Sequence, residues 1–168
     1  MKSKKLANKI RLHCVRMANS GKGSHIGSSL SIADILAVLY AKVLNVDPKN
    51  PLFINRDRFI LSKGHAGAAV YSTLAELGFF PIEKLKTHYQ NGSDLSGHVS
   101  HKEIPGIELS TGSLGHGLNV GVGIAKAGKL NIKATRFLFF FQTENVMKEL
   151  YGRLQCFQAT ISLIILLL

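Results

Sequence analysis

Tryptophan is absent from this chain, cysteine occurs twice, proline four times, and only 10 acidic residues stand against 21 Lys plus Arg. Two cysteines are too few to staple a small fold, so a disulfide-held miniprotein is excluded. Cys14 and Cys156 lie far apart without a C-x-x-C spacing, the pattern of two unpaired thiols in a reducing compartment. The expected location is cytoplasmic. The one long apolar run, Ile161–Leu168, is roughly half of what a bilayer span needs, and the N-terminus lacks an apolar signal stretch and a small-residue cleavage site. No membrane association is expected. At 46% apolar and 18% charged residues over 168 positions, the composition suits one globular α/β domain and excludes a disordered tail or a collagen-like chain.

The scarcity of acid leaves a net charge of +11, and seven bases precede the first acid, Asp34. A basic surface concentrates anions, so nucleic acid, an anionic membrane and a phosphorylated small molecule are the candidate partners. Leu6, Ile10, Cys14 and Met17 recur at steps of four, four and three, which predicts an amphipathic helix over Lys4–Asn19. Its lysines form a solvated face. A nucleic-acid patch would interleave aromatics, and this helix has none.

A Gly/Ser connector follows over Ser20–Ser28, and Ser31 is placed to cap a second helix, with Asp34 in its first turn and its end near Asn45. Val46–Asp57 is turn-rich loop, and Arg58–Ser62 reads as a buried parallel strand. Gly64–Leu77 has helical spacing with Gly78 at the left-handed cap position, and Pro81 opens a short helix through His88. Gln90–Ser110 is a long polar loop of the kind that is usually functional. Gly115–Lys129 reads as a glycine-rich helix, in which Gly121 and Gly123 would permit close packing on a sheet, and Arg136–Phe141 as a second strand. The alternation implies a doubly wound α/β domain, a parallel sheet with helices on both faces.

Three motifs place His beside Gly where a loop meets a helix: Gly23–Gly27 with His25, Leu61–Gly67 with His65, and Ser110–Gly117 with His116. Glycine lets a ligand approach the backbone, and first-turn amides offer free donors to an anion, so a diphosphate suits such a site. The glycines after His116 miss the dinucleotide fingerprint by one residue, which removes a Rossmann cofactor. His98 and His101 form an H-x-x-H without the cysteine or acidic cluster that a zinc site needs.

Taken together and in this order, these motifs resemble the N-terminal section of transketolase, the thiamine-diphosphate-binding part that some organisms make as a separate subunit. The resemblance runs from about Leu6 to about Gly128 and includes Asp57–His65, Ser96-Gly97-His98 and the Thr111–Gly117 loop. It implies that His65 and the Gly112-Ser113-Leu114 backbone contact the diphosphate side of the coenzyme, with His116 beside them at a position that is often Gln. It implies that His25 and His98 line the channel for a sugar phosphate's hydroxyls and carbonyl, donating hydrogen bonds and moving protons. The implied activity is transfer of a two-carbon ketol unit between sugar phosphates, within an oligomer and with the pyrimidine-binding domain supplied by a C-terminal partner subunit. The remaining alternatives are a deoxyxylulose-phosphate synthase-like fragment and a degenerate protein that keeps the fold without the coenzyme.

The resemblance ends at about residue 141, which divides the chain into a partial coenzyme-binding domain, 1–141, and an aberrant tail, 142–168. The family's next strand carries an Asp, followed farther on by an Asn, that hold magnesium on the diphosphate. This chain has Gln142-Thr143-Glu144-Asn145 instead, so the expected metal ligands are absent from this reading frame. Codons can be chosen for Gln142–Leu150 so that reading from one base earlier gives Ser-Asp-Gly-Glu-Cys-Asn-Glu-Gly-Thr, which restores that motif. Leu150–Phe157 permits a family-like continuation in the same shifted frame. A frameshift in the pyrimidine tract encoding the phenylalanine run explains both, and the gene sequence across Phe141–Thr143 tests it. If the tail is real, Ile161–Leu168 is an apolar end with no evident helical or strand partner and a risk of aggregation. Without metal ligands or a second domain, the chain alone is not expected to turn over substrate.

Overall fold

The structure is a computed structural model. It describes residues 2–130, 137–141 and 163–167, with side chains up to residue 128. Helix α1 spans Ser3–Gly21 and buries Leu6, Ile10, Cys14 and Met17, the stripe that the spacing predicts. Lys22, in the left-handed conformation at φ 51°, ends it.

The next helix begins earlier than the sequence suggests. Helix α2 covers Ile26–Ser31 and α3 covers Ala33–Val38, continued by a π-helical turn over Leu39–Val43. Ser31 therefore closes α2 and does not cap its successor. Its hydroxyl donates to the Ser28 carbonyl at 2.8 Å and accepts from Lys63 Nζ at 3.1 Å. Asp34 does fall in the first turn of α3, where it pairs with Arg11.

Strand β1 is Arg58–Leu61, followed by a 3-10 turn over Gly64–Ala66 and by α4, Gly67–Leu77, which Gly78 terminates at φ 90°. A second 3-10 segment, Ile82–Thr87, precedes the long loop, and α5 runs His116–Leu130. Strand β2, Phe137–Phe141, pairs parallel with β1 from Arg58 opposite Phe137 to Leu61 opposite Phe140. Strand β3, Leu163–Leu167, adds parallel to the other edge of β2 in the order β1-β2-β3. This corrects the expectation that the apolar end has no partner: an aliphatic run satisfies its backbone by pairing along an open strand edge. The rest of the tail, Gln142–Ser162 and Leu168, lies outside the described residues, as does Cys156.

Alternation along β1 separates two packing layers. Phe59 and Leu61 belong to the core cluster formed with Leu6, Ile10, Leu36 and Leu74 of α1, α3 and α4. Ile60, also buried, lies outside that cluster, as do Leu118, Val122 and Ala125 of α5, the helix that packs on β1 and β2. The chain is a doubly wound α/β fold, as its sequence alternation implies. Gly117 makes a close contact that the sequence does not mark, and Gly123 does not make the one expected of it. A Cβ on Gly123 would meet nothing within 4 Å, whereas one on Gly117 would lie 2.8 Å from the Cα of Ser62.

Two ionic clusters tie segments together. Lys9 and His13 of α1 reach Glu76 of α4 at 2.5 and 2.8 Å. Burial alone would raise the Glu76 carboxyl, but the hydrogen bonds from Lys9 and His13 outweigh it and hold the group below the usual carboxylate range. Glu108 receives both Arg56 and Arg58, which anchors the end of the long loop to the start of β1.

Candidate coenzyme site at the carboxyl end of β1

In an open α/β sheet, ligands sit beyond the carboxyl ends of the strands. Here that end is built from four segments stitched by hydrogen bonds. The Thr111 hydroxyl donates to the Leu61 carbonyl at 2.5 Å, the Thr111 amide donates to the Val99 carbonyl at 3.3 Å, and the Val99 amide donates to the Gly64 carbonyl at 2.8 Å. Glycine makes this approach possible. A Cβ on Gly64 would collide with the Thr111 carbonyl group, and one on Gly67 would lie 2.7 Å from the Val99 nitrogen.

The loop containing Gly112, Ser113 and Leu114 is thus pinned at both ends. Thr111 rests on Gly64, and Gly117 rests on Ser62, so the loop stays beside the turn that carries His65. Gly112 and Ser113 are exposed, and a Cβ on Gly112 would meet nothing within 4 Å, leaving that backbone open to a ligand. His116, also exposed, is the first residue of α5, whose first-turn amides have no helical acceptor.

On the other side of His65 the imidazoles gather. His25 stands at the start of α2, His65 in the turn after β1 and His98 in the long loop. Their ring centroids are 5.2 Å apart for His25 and His65, 5.5 Å for His25 and His98, and 6.4 Å for His65 and His98. All three line a cavity of about 110 Å³ that also touches Lys22, His88 and Tyr89. Gly112–Leu114 and His116 are not part of that cavity's lining. They form a separate, open shelf at the N-terminus of α5, held beside the His65 turn through the Thr111–Gly64 contact.

Tyr71, Lys63 and Cys14 also contribute, though no motif marks them as site residues. The Tyr71 hydroxyl donates to the His98 carbonyl at 2.9 Å and accepts the Ser100 amide at 2.8 Å, so α4 fixes the stretch bearing His98. Its phenol is pushed up, chiefly by burial. Lys63 is 4% exposed, and burial lowers its ammonium. Cys14 lines the cavity with its thiol pushed up to about 11 by burial, which keeps it protonated at neutral pH. Nothing in the spacing of an apolar helix marks Tyr71 or Cys14 as neighbours of the histidines.

The open Gly112–Leu114 backbone, the α5 amides and the His65 imidazole fit a diphosphate, since they supply donors without a carboxylate on the shelf. Among the described residues no group of three or more His, Cys, Asp or Glu could hold a metal ion; Glu144 and Asn145, where the resemblance puts the magnesium-binding segment, lie outside them. His101 Nδ1 lies 2.7 Å from Ser110 Oγ, which ties the two ends of that loop together.

Residues 2–137 match the family model of the transketolase, thiamine diphosphate binding domain. The chain belongs to the transketolase N-terminal domain family. It is 46% identical over 128 residues to one subunit of the apulose-4-phosphate transketolase of Actinobacillus succinogenes, covering 76% of this chain and 45% of that one. To the transketolase of Buchnera aphidicola subsp. Baizongia pistaciae it is 42% identical over 125 residues, covering 74% of this chain and 19% of that enzyme. The solved transketolase from Leishmania mexicana superposes with a TM-score of 0.88 at 27% identity, over 99% of this chain and 27% of that one. The chain thus spans less than half the length of the curated relatives it matches, as an N-terminal section of transketolase does. Among the described residues no helix is long and apolar enough to cross a membrane.

Proposed function

We propose that this chain supplies the diphosphate side of a thiamine-diphosphate-dependent transketolase, acting in the cytoplasm with a C-terminal, pyrimidine-binding partner subunit. The Actinobacillus relative, named as one subunit of its transketolase, supports a divided enzyme. The observation that carries the reading is the convergence of His25, His65 and His98 next to the open shelf at the N-terminus of α5.

In this reading His65, the Gly112, Ser113 and Leu114 backbone and His116 hold the diphosphate. His25 and His98 face the sugar phosphate, donate hydrogen bonds to its hydroxyls and carbonyl, and exchange protons there. When bound, the coenzyme stabilises negative charge on the carbon being transferred, and the protein orients and polarises. The product of the whole assembly is a two-carbon ketol unit moved between sugar phosphates. Residues 1–141 form the partial binding domain, and 142–168 are a tail outside the family pattern, produced by a frameshift. In this reading the pyrimidine-binding half of the site comes from the partner subunit, so turnover requires the assembly.

Calorimetry with thiamine diphosphate, with and without magnesium, tests this. Saturable binding is expected, weakened at least about tenfold in His65→Ala, the loss of one hydrogen bond to a charged group. No heat at millimolar ligand would leave a degenerate protein that keeps only the fold.

A further inference from the structure

His88 follows the 3-10 segment Ile82–Thr87 and is 5% exposed. Both ring nitrogens are buried without a hydrogen-bond partner among the described residues. A buried, unpaired imidazole is costly, and phenylalanine would fill the same space without that cost. The ring lies 6.0 Å from that of Tyr71 and 6.2 Å from that of Tyr89.

Each of these tyrosines grips the segment bearing His98. Tyr71 bonds the His98 carbonyl and the Ser100 amide through its hydroxyl. Tyr89 adopts φ 58°, donates its amide to the Leu95 carbonyl at 2.8 Å, and lays its ring against Gly97, where a Cβ would come within 2.5 Å. His88 sits between the two grips and lines the same cavity as His25, His65 and His98.

We propose that His88 is a positioning residue for His98, and that its neutral form is required to hold the Gly97–Ser100 stretch against Tyr71 and Tyr89. The titratable or charged groups around it are Cys14 and Lys22 from α1 and its end, His25 at the start of α2, His65 after β1, Tyr71 from α4, and Tyr89 and His98 from the loop. None of the cavity-lining residues is a carboxylate, so an imidazolium there gains no counter-charge. Burial lowers the His88 pKa from its ordinary 6.5. Between the unfolded and folded values the unfolded chain binds more protons, so the contribution is complete above 6.5 and declines as pH falls below it. The inference rests on the proposed function only for the meaning of His98; the coupling itself is a property of the chain without ligand.

NMR of the full chain without coenzyme tests it from pH 7.5 to 5. The His88 ring should titrate below 6.5, and the Ser100 amide should shift and lose exchange protection with the same midpoint. In His88→Phe the Ser100 amide should stay constant over this range. In Tyr71→Phe the His88 titration should persist while the Ser100 response disappears. A Ser100 amide indifferent to His88 titration in the native chain, or a response unchanged in either variant, would overturn the proposal, whatever calorimetry says of the coenzyme.

Discussion

Gly64→Ala is expected to destabilise the fold by about 3 kcal/mol or more. The added methyl would occupy the position of the Thr111 carbonyl group, a backbone neighbour that cannot rotate away as a side chain would. Moving Thr111 also breaks its hydroxyl bond to Leu61 and its amide bond to Val99. Gly112→Ala is the control. Its methyl meets nothing within 4 Å and its φ is not positive, so stability should change by less than about 0.5 kcal/mol. Urea unfolding of the two variants measures the contrast. Equal, small losses would mean that the loops are not joined as described.

Glu108→Leu should cost about 3–5 kcal/mol. The Glu108 side chain is 9% exposed and accepts from both Arg56 and Arg58, the Arg56 side chain being 11% exposed. Removing the carboxylate strands two guanidinium groups, one of them in the interior, where an uncompensated charge is far more damaging than loss of the pair itself. The Arg56→Leu/Glu108→Leu double variant is therefore expected to be more stable than Glu108→Leu alone. Unfolding midpoints of the two singles and the double give the coupling. Simple additivity would show that the ion cluster does not join the long loop to β1.

Much of this fold is legible because local chemistry and tertiary packing agree. The stripe Leu6, Ile10, Cys14, Met17 is the buried face of α1, and Gly78 takes the left-handed cap because only glycine adopts that conformation freely. The failures have physical causes. Ser31 looks like a cap, but α2 begins at Ile26 without any side-chain cap and is held by its neighbours. Gly123 looks like a packing position but meets nothing, while Gly117 is set against Ser62 at the end of β1, a contact that helical spacing alone does not mark. Of the candidate site, His25, His65 and His98 could be named from their motifs. That Tyr71 fixes the backbone at His98, and that the His88 ring packs beside Tyr71 with no hydrogen-bond partner for its nitrogens among the described residues, depends on contacts between residues far apart in the chain.

Whether the His65 turn and the Gly112–Leu114 loop face one diphosphate ligand is decided by an NMR titration of the full chain with thiamine diphosphate. The His65 ring and the Gly112, Ser113 and Leu114 amides should shift together along a single binding isotherm, with inorganic phosphate giving a weaker version of the same pattern. Shifts at one of these segments without the other, or distinct isotherms for the two, would contradict it.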